Sequence, residues 1–131
     1  MYRSQSAAEV KGITPLLQFC HEFTYYIDQL LMAEAHIGLS QFRLLQATEA
    51  TPRCTQKFLA TSLAQTEASV SRQTKILENQ HMVTVHRRVE DKRARSVVLT
   101  PKGRAALERA TAVLMEHEKL LHDRFPLLHR V

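Results

Sequence analysis

The sequence predicts a mainly α-helical fold with one small β-hairpin (an α+β fold). Three features lead to this prediction: a long amphipathic stretch towards each end of the chain, two short helical stretches between residues 55 and 79, and a β-branched, basic segment after them. In this order, the short helices and the hairpin are typical of a winged helix-turn-helix. The chain has 131 residues, so we expect residues 1–131 to form one domain.

The stretch near the start of the chain is predicted to form the first long helix. Thr14 is the expected N-cap, Pro15 the first helical residue, and Ala35 the approximate end. Apolar residues recur every three or four positions, at Leu16, Cys20, Phe23, Ile27, Leu30 and Leu31. This spacing gives the helix one continuous apolar stripe.

The second long helix is expected to run from Lys102 towards His122, and Pro126 interrupts it. Its apolar side carries Ala106, Leu107, Ala110, Val113, Leu114 and Leu121. Neither long helix can bury its whole stripe on a winged helix-turn-helix of about 65 residues, so we expect the two to pair across a two-fold axis in a homodimer. A compact monomeric helical cap is the alternative.

The helix-turn-helix is predicted from its caps and its apolar positions. Thr55 is the expected N-cap of a helix to about Ser62, with Phe58 and Leu59 on its buried side, and residues 63–65 form the turn. These assignments place a second helix directly after the turn.

That second helix begins at the N-cap Thr66, and Glu67 in its first turn suits the positive end of the helix dipole. Its buried face is expected to hold Val70, Thr74 and Leu77. Its opposite face carries Ala68, Ser69, Arg72 and Lys75, with Gln73 at the edge. These side chains are small or form hydrogen bonds, and can therefore approach a base edge or a phosphate.

The hairpin follows as a strand over residues 82–88 and a return strand over 97–99. Its tip carries three basic residues after Asp91, which are Lys92, Arg93 and Arg95. A basic tip beside such a helix suits insertion into the minor groove of DNA.

The positive charge is concentrated in the same part of the chain. Residues 66–104 contain nine Lys and Arg against four Asp and Glu, a net charge of +5, which is also the net charge of the whole chain. An amphipathic helix or a solvated hairpin with a basic face is common on its own. Their combination with this local charge indicates a surface that binds the phosphate backbone.

The sequence at these positions resembles the MarR family of bacterial winged-helix regulators. The resemblance is strongest over about residues 39–104, and the family's wing signature is an Asp-x-Arg tip followed by a strand that ends in Leu-Thr-x-x-Gly. The motifs that carry the resemblance are Leu59-Ala60, Ser69-Val70-Ser71-Arg72, Leu77-Glu78, Asp91-Lys92-Arg93 and Leu99-Thr100-Pro101-Lys102-Gly103. The family usually has Gly at the position of His81, which implies a left-handed backbone there.

The resemblance implies a sequence-specific transcriptional regulator, more often a repressor in this family, that binds a palindromic double-stranded operator as a homodimer. Residues 36–100 would form the DNA-binding part, and 13–35 and 102–131 the dimerisation helices. Asp91 would orient the wing tip. The expected DNA-binding residues are Thr66, Ser69, Ser71, Arg72, Gln73 and Lys75 in the helix, and Arg87, Arg88, Lys92, Arg93 and Arg95 in the wing.

The resemblance also implies a means of releasing DNA. The family's usual signal is a small aromatic or anionic ligand, which we expect near Phe19, Phe23, Tyr26 and Phe42. Cys20 is a second candidate, because peroxide-sensing members carry a reactive cysteine on the first helix. The alternative for Cys20 is a buried cysteine that acts as a small apolar residue.

Other functions receive little support from the sequence. The three glycines are scattered, so there is no phosphate-binding loop, and we expect no enzymatic activity and no cofactor. His117 and His122 are poorly spaced for one helix face, and we predict no metal site. No stretch is long and apolar enough to span a membrane and no signal peptide is evident, so we expect a cytoplasmic protein. The alternative function is an architectural DNA-binding or protein-interaction module without sequence preference.

Overall fold

The structure is a computed structural model that describes residues 12–90 and 94–130. It confirms a mostly helical fold with a small antiparallel sheet. The elements in chain order are α1 (Ile13–Ala35), α2 (Leu39–Ala50), β1 (Cys54–Thr55), α3 (Gln56–Ser62), α4 (Glu67–Asn79), β2 (Val83–Arg87), β3 (Arg95–Leu99), α5 (Pro101–Glu116), α6 (Glu118–Arg124) and a 3₁₀ helix (Pro126–Arg130).

The helix-turn-helix has the predicted caps. The Thr55 hydroxyl accepts a hydrogen bond from the backbone N–H of Phe58, and the Thr66 hydroxyl accepts one from Ser69 N–H. Ala64, in the turn between α3 and α4, has a left-handed backbone with φ of 53°. The prediction that Phe58 is buried is wrong, because its side chain is 46% exposed, whereas Leu59 is fully buried as predicted.

The sheet has three strands in the order β1-β3-β2, all antiparallel. The β2–β3 hairpin is the predicted wing, and its register pairs Val83 with Leu99 and Arg87 with Arg95. The third strand, β1, pairs Cys54 with Val97 and was not predicted. It ties the chain before α3 to the wing.

The flanking helices differ from the prediction at their ends. Helix α1 begins at Ile13 with Gly12 at the N-cap position, so Thr14 lies inside the first turn and is not the cap. The predicted continuous helix from residue 102 to 122 is divided into α5 and α6 at His117. The His117 ring lies 2.8 Å from the carbonyl oxygen of Val113, which is one of the last carbonyls of α5.

The core is one cluster of apolar side chains that joins α1, α2, the helix-turn-helix, the sheet and α5. Its members with almost no exposed surface are Leu31, Ile37, Leu44, Leu45, Leu59, Val70, Leu77, Val83 and Val97. Leu107, Ala110 and Val113 of α5 extend this cluster. The core therefore fixes α4 and the wing relative to the two long helices.

Close backbone contacts form a junction between the segment after α4 and the start of α5. His81 has the predicted left-handed backbone, with φ of 61°, and its carbonyl oxygen accepts a hydrogen bond of 2.6 Å from the Thr100 hydroxyl. The same hydroxyl caps α5 by accepting from Gly103 N–H at 3.0 Å. Thr100 N–H donates to the Met82 carbonyl oxygen, and Gly103 packs directly on that carbonyl. The Leu-Thr-x-x-Gly motif thus has a structural role at this junction.

Candidate nucleic-acid interface

Helix α4 separates its buried and exposed faces as the sequence predicts. Val70, Thr74 and Leu77 have no exposed surface, and the Thr74 hydroxyl donates to the Val70 carbonyl oxygen within the helix. The exposed face carries Ala68, Ser71, Arg72 and Lys75. The helix therefore presents small side chains next to two cations that can approach a DNA groove, with the half-exposed Ile76 one turn after Arg72.

Two predicted DNA-binding residues, Ser69 and Gln73, are half-buried and bonded within the protein. The Gln73 side-chain N–H₂ donates to Gln65 Oε1 at 2.8 Å and to Ser69 Oγ at 3.1 Å. Ser69 Oγ also donates to Gln65 Oε1 at 3.2 Å. Gln65 was predicted only as a turn residue, because a hydrogen bond to a residue eight positions along the chain leaves no local pattern in the sequence.

The basic residues of the wing are of two kinds: some are exposed to solvent, and one is held by hydrogen bonds within the protein. Arg87 and Arg95 are exposed and face each other as cross-strand partners at the loop end of the hairpin. Arg88 is anchored, since its Nε donates to Ser96 Oγ at 3.1 Å and its Nη2 donates to the Arg53 carbonyl oxygen at 3.0 Å. The predicted tip residues Asp91, Lys92 and Arg93 lie outside the described residues.

Helix α4 and the wing enclose a concave basic surface. One concavity of about 520 Å³ is lined by Lys57 of α3, Ser71 of α4 and Arg95 of β3, among others. A smaller one of about 240 Å³ adjoins it and brings Ser71, Lys75 and Arg95 together. Lys57 was missed in the sequence analysis, although its position on the first helix of the motif and its charge were available as signals.

The other face of the sheet holds a further basic concavity of about 590 Å³. Its lining includes Arg53, His86, Arg87 and Arg88, with Glu90 as the acidic member. Arg53 was not predicted. Its backbone is left-handed with φ of 55°, and its carbonyl is held by Arg88, so the segment before β1 is fixed to the wing.

The candidate sensing residues Phe23 and Tyr26 gather around Phe125, which was not predicted. The Phe125 ring lies edge-on to Phe23 at 5.2 Å and to Tyr26 at 5.5 Å between ring centroids. The Arg124 guanidinium lies 4.9 Å from the centroid of the Tyr26 ring. Phe42 lies elsewhere, buried in α2 as part of the core.

Beside this aromatic cluster is a concavity of about 650 Å³ along α1. It is lined by Gln18, His21, Glu22, Tyr25, Tyr26, Gln29, Arg124 and Phe125. The surface therefore combines aromatic rings with one guanidinium group, that of Arg124, and one carboxylate, that of Glu22.

The two cysteines have opposite environments. Cys20 is exposed on α1, whereas the predicted alternative for it was burial. Cys54 is buried in β1, and this burial raises the pKa of its thiol above the ordinary value of 9.0 against the smaller lowering effects of its own backbone, Thr48 and Arg88. A raised pKa keeps the Cys54 thiol protonated at neutral pH and so lowers its reactivity.

Within residues 12–90 and 94–130, no group of three or more His, Cys, Asp or Glu side chains is arranged to hold a metal ion. In the same ranges, none of the helices has the length and apolar character needed to cross a membrane.

An exposed basic helix behind an N-cap, with a basic hairpin beside it, defines a winged helix-turn-helix protein that binds DNA. Three of the solved structures that share this fold are bound to DNA. The transcriptional repressor CouR, bound to a 23-mer DNA duplex, has a TM-score of 0.81 and 25% identity, covering 94% of this chain and 86% of its own. The MepR–DNA complex of S. aureus has a TM-score of 0.74 and 24% identity over 85% and 82%. A cysteine-to-serine mutant of MarR from E. coli, complexed with operator DNA, has a TM-score of 0.75 and 22% identity over 88% and 86%.

Residues 37–94, which hold most of the winged helix-turn-helix, match the model of the MarR family. Together with the fold match over 94% of the chain, this supports a winged helix-turn-helix transcriptional regulator of the MarR type that binds DNA in a sequence-specific way. No curated protein matches the sequence.

Proposed function

We propose that the protein is a repressor that binds a palindromic operator as a homodimer and releases it in response to a chemical signal. The observation that carries the DNA-binding part is the exposed face of α4, which presents Arg72 and where Ser71 and Lys75 lie beside Arg95 of the wing. Repression is supported by the structural likeness to CouR, a repressor bound to DNA. The proposal includes no enzymatic activity. It places the protein in the cytoplasm, where bacterial operators lie.

In the proposed complex, α4 enters the major groove and the wing follows the backbone into the adjacent minor groove. Arg72 has the longest donor on the exposed face of α4 and is assigned to a base edge, while Lys75 and Arg95 contact phosphates. Thr66 and Ser69 lie at the N-terminus of α4, where backbone N–H groups favour a phosphate. Arg87, Lys92 and Arg93 add charge in the wing, with Asp91 orienting its tip, and Arg88 mainly holds the wing in place.

The homodimer is supported by apolar residues that the protomer leaves uncovered. In the first half of α1, Leu16 is 54% and Leu17 is 64% exposed, and Ile13 is also exposed. Leu120 of α6 and Leu127 of the 3₁₀ helix are exposed near the other end of the chain. Apolar patches of this kind on a small protein mark interaction sites. We therefore assign residues 13–35 and 102–131 to dimerisation and 36–100 to DNA binding.

Two signals are proposed for release. A small aromatic anion fits the concavity along α1, because Tyr26 and Phe125 supply aromatic surface and Arg124 supplies the charge. Oxidation of Cys20 is the second, since this thiol is exposed on a helix with apolar neighbours. Organic peroxide should release DNA from the wild type and leave a Cys20→Ser variant bound. Full binding by the peroxide-treated wild type would leave the ligand as the signal.

A competition experiment tests the proposed function. Random-sequence DNA is first selected on the protein, and the selected site then competes with bulk DNA for binding. A regulator should prefer its site by about 10³-fold or more, and the site should be symmetric if a homodimer binds it. An architectural module would show no such preference, and an asymmetric single half-site would contradict the homodimer.

A further inference from the structure

Gln65, the last residue of the turn between α3 and α4, connects two side chains of the DNA-reading helix. Its Oε1 accepts from the Gln73 amide N–H₂ at 2.8 Å and from the Ser69 hydroxyl at 3.2 Å. Gln73 also donates to Ser69 Oγ at 3.1 Å. The three side chains thus form a closed network, and all three are half-buried.

The backbone under Gln65 is fixed, so the network has a defined origin. Gln65 N–H donates to the Ala60 carbonyl oxygen at 2.9 Å, and Ala64 before it holds a left-handed conformation. Thr66 after it is the N-cap of α4. The backbone of Gln65 is therefore held between two constrained residues, and its side chain extends across the first two turns of α4 to Ser69 and Gln73.

The network determines what Gln73 can do at a DNA surface. A glutamine reads adenine by presenting one amide N–H and the amide oxygen together to the base edge. Both amide N–H groups of Gln73 are engaged with Gln65 and Ser69. Its Oε1 is buried and has no hydrogen-bond partner among the described residues. Gln73 is therefore turned towards the protein, and Ser69 donates its hydroxyl proton to the same acceptor.

We propose that Gln65 is a positioning residue that sets the operator preference by holding Gln73 and Ser69 away from the bases. Base reading then depends on Arg72 and its exposed neighbours, and the sequence-based assignment of Gln73 as a base contact is replaced by an internal role. This inference rests on the proposed function only in that it requires a preferred DNA site.

The test compares the DNA sites selected by four full-length proteins: wild type, Gln73→Ala, Gln65→Ala and the double variant. Because Gln73 does not reach DNA in the wild type, Gln73→Ala should select the same site. Gln65→Ala frees the Gln73 amide and should add or change a preference at one position in each half-site. The double variant should lose that new preference, since the side chain that creates it is gone.

Two further variants separate positioning from general stability. Gln65→Glu keeps an oxygen acceptor for Gln73 and Ser69, so it should retain the wild-type site although its charge weakens binding to all sequences. Gln80→Ala is the matched control, because it removes another glutamine–glutamine hydrogen bond, from Gln41 at 3.0 Å, at the opposite end of the same helix. It should leave the selected site unchanged.

Two results would overturn the inference: a lost base preference in Gln73→Ala alone, or an unchanged site in Gln65→Ala. A DNA-free measurement keeps the test separate from the proposed function. The shifts in Tm of the two single variants should not add up in the double variant, because both break the same network. If the wild type selects no site, the proposed function fails, and additive Tm shifts would still overturn the network.

Discussion

Replacing Gly103 with Ala should destabilise the protein at the junction between β2 and α5. A Cβ atom at this position would lie 1.9 Å from the carbonyl oxygen of Met82 and 2.8 Å from its carbonyl carbon. Side-chain Cβ atoms essentially never approach other heavy atoms within 3.0 Å, and the obstacle here is backbone. The start of α5 must therefore move away from the Met82 carbonyl group, because small local shifts cannot relieve a contact of 1.9 Å with the backbone.

The magnitude follows from what that movement breaks. Overpacking of this kind costs about 1–3 kcal/mol. Moving α5 away from Met82 also weakens the hydrogen bonds from Thr100 to Met82 and His81. Each of these bonds contributes about 0.5–1.5 kcal/mol to stability. The higher helix propensity of Ala offsets about 1 kcal/mol of this destabilisation. We expect a net loss of about 1–5 kcal/mol in the free energy of unfolding, or a decrease in Tm of about 3–20 °C.

Urea and thermal unfolding followed by circular dichroism measure this loss, with all variants at one protomer concentration because dimer stability depends on it. Gly12→Ala is the matched control, since a Cβ atom there would have nothing within 4 Å. It should change stability by about 0.5 kcal/mol at most. A Gly103→Ala variant as stable as the control would refute the close contact and the reasoning built on it.

Three other predictions concern DNA binding, assembly and pH. Arg72→Ala should weaken operator binding by about 1–3 kcal/mol and relax the preference at one position per half-site, and unchanged affinity in the folded variant would contradict a base contact. Leu17→Glu should give folded monomers in light scattering. The Leu17 side chain is 64% exposed in the protomer, so the variant can fold, but a charge at this position would be desolvated in a dimer. A dimeric variant would place the interface elsewhere. Burial raises the pKa of Cys54 above 9.0, so its stabilising contribution is complete below that pH and is lost as pH rises through the folded-state value. The wild type should then lose more stability than Cys54→Ser as pH rises above about 9, and parallel curves would argue against this burial effect.

The helix-turn-helix was predictable because its signals are local. Thr55 and Thr66 cap helices whose first N–H groups lie three residues away, and the buried face of α4 follows from a spacing of three or four residues. The left-handed backbone at His81 was also predicted, from the resemblance to a family that has glycine there. In each case the residues that determine the local structure lie within a few positions of one another in the sequence.

The features that the sequence did not reveal depend on contacts between distant parts of the chain. β1 has only two residues, too few for a strand pattern, and it exists because Cys54 pairs with Val97 of the wing. Phe125 follows the predicted helix as an isolated aromatic, and only the packing of α6 on α1 brings it to Phe23. Phe58 occupies a position expected to be buried, but a seven-residue helix has too few turns for periodicity to define its inner face.

Strand β2 is one of the two edge strands of the sheet, because β1 and β2 flank β3 on its two sides. An outer strand exposes backbone groups that can pair with the same strand of another molecule and begin aggregation. Here Arg87 is exposed at the end of β2, with Arg95 as its cross-strand partner, so two such edges repel each other. The cations proposed to hold DNA therefore also protect the free protein from self-association. High salt, which shortens the screening length to about 3 Å at 1 M, should weaken both effects together, and neutralising Arg87 should reduce solubility as well as DNA affinity.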